Sequence, residues 1–317
     1  MLAASGASFP HWHMHLDGWL LVGLIEVLYL FAVTRERSRR GPAGDPPATR
    51  RQVVSFTAGV AVLWLASDWP VHDLAEGYLY SVHMVQHLLL TLVASALLLL
   101  GTPAWLARRL LGLSDGSRSS RRTTIVRALS RPVVGLAQFN VVLVLSHWPA
   151  VVEATVRWHP LHFVAHAVLL VSAVLMWMPV LSPLREIPRA KPPTQMLYLF
   201  LQTVVPTVPA SFLTFGSKPL YRIYETFPRL WDISPLTDQQ VAGLIMKIGA
   251  GFYLWAVIAG IFFRWYSSEE RMGGGPGPGP AAAPDPPRDG DGVLLWEDVE
   301  AELRRLGDGG PTATRRN

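Results

Sequence analysis

Seven apolar runs dominate the chain, each close to the ~20 residues that a helix needs to cross the hydrocarbon of a bilayer. They cover residues 18–34, 53–69, 79–100, 133–148, 161–181, 194–215 and 241–265. In lipid a single segment satisfies its own backbone only as a helix. The expected fold is therefore all-α, a polytopic membrane bundle of about seven transmembrane helices. Composition agrees, with half of the residues hydrophobic and only 16% charged, unlike a soluble domain. Cysteine is absent, which excludes disulfides, iron–sulfur clusters and thiolate metal sites.

The net charge of +5 would suggest nucleic acid in a soluble chain, but here the arginines sit in short loops between apolar runs. The loops after the first, third and fifth runs hold sixteen Lys and Arg residues, and the opposite segments hold four. By the positive-inside rule the N-terminus lies outside and the C-terminus in the cytoplasm, with no nucleic-acid partner. Three regions are expected: an extracytoplasmic His-rich arm (1–16), the membrane domain (17–266) and a cytoplasmic Gly/Pro-rich tail (267–317). No cleavable signal is evident, because residues 1–15 lack a basic start and an apolar core. In the tail, Leu295, Val299, Leu303 and Leu306 fall at the spacing of a short amphipathic helix.

Histidine is the residue that carries chemistry here. His83 and His87 open the third run, and His162 and His166 open the fifth. Each pair is four residues apart, so its two imidazoles share one helix face. His147 closes the fourth run, His72 and His159 fall in connecting loops, and His11, His13 and His15 precede the first run. In the expected topology all ten lie on the outer side or in the outer leaflet. Imidazole is costly to leave in hydrocarbon and is a common neutral metal ligand.

The expected core metal site is His83, His87, His162 and His166, with His147 and Met84 as auxiliary ligands. His11, His13 and His15 are expected to form a mobile collecting arm. Nitrogen and thioether donors suit copper, although the residues alone do not exclude zinc or haem. A purely structural histidine network is the plain alternative, and for His72 and His159 a solvated loop is the expectation.

Three other features stand out. Glu26 and Lys247 each lie nine residues into their runs, at matching depth, and are expected to pair as a buried ion pair. Pro206 and Pro209 should kink the sixth run, with Thr203, Thr207 and Ser211 capping freed carbonyls. Tyr221, Tyr224, Phe227 and Trp231, in the long loop before the last run, have the composition of a headgroup-level anchor.

The stretch from His83-Met84-Val85-Gln86-His87 through Leu100-Gly101-Thr102-Pro103, then Ser146-His147-Trp148-Pro149, then His159, His162 and His166, resembles the CtaG family. Pro219-Leu220-Tyr221 and Asp238-Gln239-Gln240-Val241-Ala242-Gly243 are also similar to that family's pattern. The resemblance covers roughly residues 17–265, with Lys247 as a departure. The family comprises cytochrome c oxidase assembly factors of caa3-type oxidases. The resemblance implies a multi-pass plasma-membrane protein of bacterial cells that works with cytochrome c oxidase subunits and supplies copper to the oxidase copper centre.

No residue stands out as a general base beside an activated water, so an assembly factor or metallochaperone is expected rather than an enzyme. The rivals are a bis-histidine haem protein and a membrane metalloenzyme using its HxxxH pairs.

Overall fold

The computed structural model describes residues 9, 12, 15–41, 43–113 and 121–273. It forms two compact units, Met1–Trp265 and Tyr266–Asn317, and the histidines lie in the first. The described residues hold helices and no strand. His11, His13 and the amphipathic pattern of the tail lie outside the described residues.

Helix α1 (Leu16–Arg40) is followed by α2 (Arg50–Ser67), which Thr49 and Gln52 start with reciprocal side-chain-to-backbone bonds. A short α3 (Val71–Gly77) leads into α4 (Tyr80–Leu88), a π-helical turn (Leu89–Ala94) and α5 (Ser95–Gly101). Then come α6 (Ala104–Leu111), α7 (Arg121–Leu129), α8 (Pro132–Ser146), α9 (Pro149–Arg157) and α10 (His159–Leu181). The last are α11 (Pro192–Val204), α12 (Thr207–Phe215), α13 (Pro235–Leu244), a second π turn (Ile245–Gly249) and α14 (Ala250–Gly273). Proline occupies the first turn of α8, α9, α10, α11 and α13, where its missing N–H has no intrahelical role.

Six of the described segments are long and apolar enough to cross a membrane: Gly18–Arg40, Arg50–Gly77, Tyr80–Gly101, His159–Leu181, Pro192–Phe215 and Pro235–Arg271. The run expected at 133–148 is the exception. Its helix α8 has 15 residues and bends by 70° from α7, and the two make a seventh span only when taken together. At 1.5 Å per residue α8 alone is roughly 22 Å long, short of the ~30 Å hydrocarbon layer.

The sixth run breaks at Val205-Pro206, where the prolines were expected to act. The Thr203, Thr207 and Ser211 hydroxyls donate to the Phe200, Thr203 and Thr207 carbonyls. The carbonyl of Val205, which Pro209 cannot serve, instead accepts from the Val208 amide at 3.2 Å. At the break the Thr207 hydroxyl serves the Thr203 carbonyl, as expected, while the backbone serves that of Val205.

Packing around α4 and α10 fixes the histidine-bearing end. Gln86 is buried and donates to the Ala66 carbonyl at 2.7 Å, tying α4 to α2. Trp177, also buried, donates to the Thr91 carbonyl at 3.0 Å and ties α10 to the first π turn. Asp238, on α13, accepts from the Tyr80 and Ser81 amides at 2.6 and 3.0 Å. It thus caps the amides at the start of the helix that carries His83 and His87.

Two expectations are corrected here. Tyr221 and Tyr224 do not anchor in headgroups: both are buried against Tyr80, Met84 and Leu213, and the Tyr221 hydroxyl donates to the His147 carbonyl at 2.8 Å. An amphipathic aromatic composition serves either role, and here the Tyr221 hydroxyl has a polar partner just past the end of α8. Trp231 does stay exposed.

Glu26 and Lys247 make no ion pair with each other. Glu26 accepts from the Thr57 hydroxyl at 2.7 Å, on α2, while Lys247 is exposed in the second π turn, which packs against α4 and α12. Equal depth along two helices does not make them neighbours, and α1 packs on α2.

Candidate metal centre

Each histidine position follows from a helix end. Leu79 is extended before α4, so His83 and His87 fall on the first two turns, on one face. The π turn starts at Leu89, directly after them, and the Thr91 hydroxyl takes the His87 carbonyl at 2.6 Å. Such π turns recur at functional sites because they re-aim side chains without ending the helix. On α10, which starts at His159 with Pro160 in its first turn, His162 and His166 follow one turn apart.

The two pairs meet. His87 Nε2 and His166 Nε2 are 3.1 Å apart, and the rings of His83 and His87 lie 4.2 Å apart between centroids, tilted by 52°. Ligand nitrogens of His83, His87 and His166 all lie within 4.8 Å of one another. Two nitrogens each about 2.0 Å from a tetrahedral metal stand roughly 3.3 Å apart, so the spacing fits one ion. The Nδ1 atoms of His83 and His87 are buried without hydrogen-bond partners, an unsatisfied state that a cation or a water would relieve. A small cavity of about 20 Å³ adjoins them, bordered by Val152, Thr155, His162 and Leu169, with room for one water or ion.

His162 stands outside this trio. Its Nδ1 is in direct contact with Glu76 Oε1, so the carboxylate sets the ring orientation. Its Nε2 is buried and has no hydrogen-bond partner, and its ring lies 4.1 Å from that of His166. His147 is also adjacent to the trio rather than in it, 5.7 Å from His87 between centroids. Its Nδ1 bonds the Leu143 carbonyl at 2.7 Å, which fixes the proton there, because a carbonyl only accepts. The opposite nitrogen, Nε2, faces Met84 Sδ at 3.4 Å.

The expectation of solvated loops is corrected for His72. It lies on α3, half-buried, with its Nδ1 3.3 Å from Glu76 Oε1. His15, just before α1, places Nε2 2.6 Å from Asp73 Oδ1. His159 does stay exposed, although its Nδ1 is 3.4 Å from Glu76 Oε2. The described histidines (15, 72, 83, 87, 147, 159, 162 and 166) thus gather at one end of the bundle.

Asp73 and Glu76 were not singled out as site residues from the sequence. The usable signal was the spacing of His72 and Glu76, four residues apart, which a loop assignment hides and a helix exposes.

The model of the cytochrome c oxidase caa3 assembly factor family (Caa3_CtaG) matches residues 27–268. Two uncharacterized proteins, from Mycobacterium bovis and Mycobacterium tuberculosis, are each 26% identical to the chain over 259 residues, covering 76% of it. The chain spans 37% of the length of each of these relatives. No solved structure matches the chain. Residues 27–268 include every histidine of the centre, the Asp238 cap and the carboxylates of α3.

Proposed function

The chain belongs to the cytochrome c oxidase caa3 assembly factors, and from that premise we propose that it carries copper as cargo for the oxidase copper centre. The holding residues in this reading are His83, His87 and His166, and the observation that supports it is their convergence within 4.8 Å on two helices. Three neutral imidazoles suit a borderline or soft ion, and the thioether of Met84, against His147, adds a donor that favours Cu(I). Glu76 orients His162 at the rim, and the Leu143 carbonyl orients His147. In this reading the histidine end faces outward across a bacterial plasma membrane, which the loop arginines support, and a cysteine-free donor set escapes thiol oxidation there. Oxidase subunits are the partners, and the role is assembly rather than catalysis.

The geometry favours an ion over haem. Axial nitrogens on opposite faces of a haem iron, each about 2.0 Å from it, stand roughly 4 Å apart with a macrocycle between them. Nitrogens at 3.1 Å beside a cavity of about 20 Å³ leave no such room. A di-iron centre needs carboxylate ligands, and the trio contains none.

The test is complementation of a deletion strain with His83→Ala/His87→Ala/His166→Ala, with the chain's level checked by immunoblot. The reading expects oxidase to accumulate with its copper depleted at least tenfold. Fully copper-loaded oxidase at normal levels would overturn it.

A further inference from the structure

The carboxylates of α3 do more than support the centre. His15, His72 and Asp73 form a second group whose ligand atoms lie within 4.8 Å of one another. They come from two elements: His15 immediately precedes α1, and His72 and Asp73 lie in the first turn of α3. The His15 and His72 rings are 4.7 Å apart and nearly perpendicular, so the two imidazoles approach a shared point from different directions. His15 and His72 are 19% and 23% exposed in their side chains, whereas the histidines of α4 are buried. The group is therefore more open to solvent than the α4 histidines of the centre.

We infer that His15, His72 and Asp73 are a second metal site, distinct from the three-histidine centre, which takes a divalent transition-metal ion. The donor chemistry separates the two. Two imidazoles and a carboxylate, without sulfur, suit Cu(II) or Zn(II), while the inner set with its neighbouring thioether suits Cu(I).

Geometry also links them. From His72 the next donor is Glu76, at 3.3 Å on the following turn. Glu76 contacts His162, whose ring is 5.7 Å from that of His83. One carboxylate and one imidazole thus connect the outer site to the centre. The existence of the outer site does not rest on the proposed copper delivery.

The probe is Cu(II) alone, titrated into the full-length, detergent-purified chain without a polyhistidine tag and followed by paramagnetic resonance. With His83→Ala/His87→Ala/His166→Ala, one equivalent is expected to remain, with superhyperfine splitting from two nitrogens. Adding His72→Ala and Asp73→Asn should reduce it to under a tenth of an equivalent. His11→Ala/His13→Ala in the same triple background should leave it in place. Size exclusion and circular dichroism confirm the fold of each variant.

The inference is overturned if the triple variant binds no Cu(II), if the outer substitutions leave the equivalent intact, or if the arm substitutions remove it. If the triple variant binds as much Cu(II) as wild type while the outer substitutions remove one ion, the outer site stands, and the centre is read separately by its Cu(I) loading.

Discussion

His87 Nε2 and His166 Nε2 face each other at 3.1 Å across the interface of α4 and α10. Neither helix carries the centre alone. The centre depends on the packing that aligns the two helices, and on the α3 and α13 contacts that hold their ends.

Glu76 is the clearest of those supports. It meets His72, His159 and His162, so Glu76→Gln removes a charge from three imidazoles at once. Outer partners of metal ligands typically set affinity by about 10- to 100-fold. Glu76→Gln is expected to weaken copper binding by that factor at the outer site, whose ligand His72 it meets, with stoichiometry unchanged, measured by competition with a chelator of known affinity. Unaltered affinity would show that His72 needs no such support.

Asp238 explains why a residue more than 150 positions away bears on His83. Its carboxylate accepts from two amides at the start of α4, and hydrogen bonds to a charged group are worth ~1.5–3 kcal/mol. Asp238→Ala should lower the thermal midpoint in detergent by an amount equivalent to about 2 kcal/mol or more. Asn, which keeps one acceptor, should recover part of it. A midpoint equal to wild type for Asp238→Ala would remove the capping account.

Glu26 and Lys247 should be energetically independent. Sites that share no partner usually add within about 0.5 kcal/mol in a double-mutant cycle. Glu26→Gln with Lys247→Met is expected inside that limit, while Glu26→Gln with Thr57→Val should exceed it, since those side chains bond at 2.7 Å. Unfolding in mixed micelles reads both cycles, and the reverse ranking would restore the ion pair.

The contrast between those pairs shows what the sequence could carry. Spacing along one helix was legible: the two HxxxH faces, the Pro206 break and the apolar spans are all local patterns. Azimuth between helices was not, which is why matching depth suggested a Glu26–Lys247 pair that helix packing does not form. Short helices were also hidden. Val71–Gly77 is seven residues after a tryptophan and a proline, so its His72, Asp73 and Glu76 read as a loop. Their convergence on His15 and His162 appears only when α1, α3 and α10 are placed together. Tyr221 failed for a related reason, because its partner is a backbone carbonyl 74 residues away.

The central claim is that His83, His87 and His166 hold one ion. The most direct measurement is metal content by mass spectrometry of the full-length chain after anaerobic Cu(I) loading and desalting, in a His72→Ala/Asp73→Asn background that silences the outer site. The account predicts one copper per chain, falling below a tenth when His83, His87 and His166 are replaced by alanine. One copper per chain retained by that variant would contradict it.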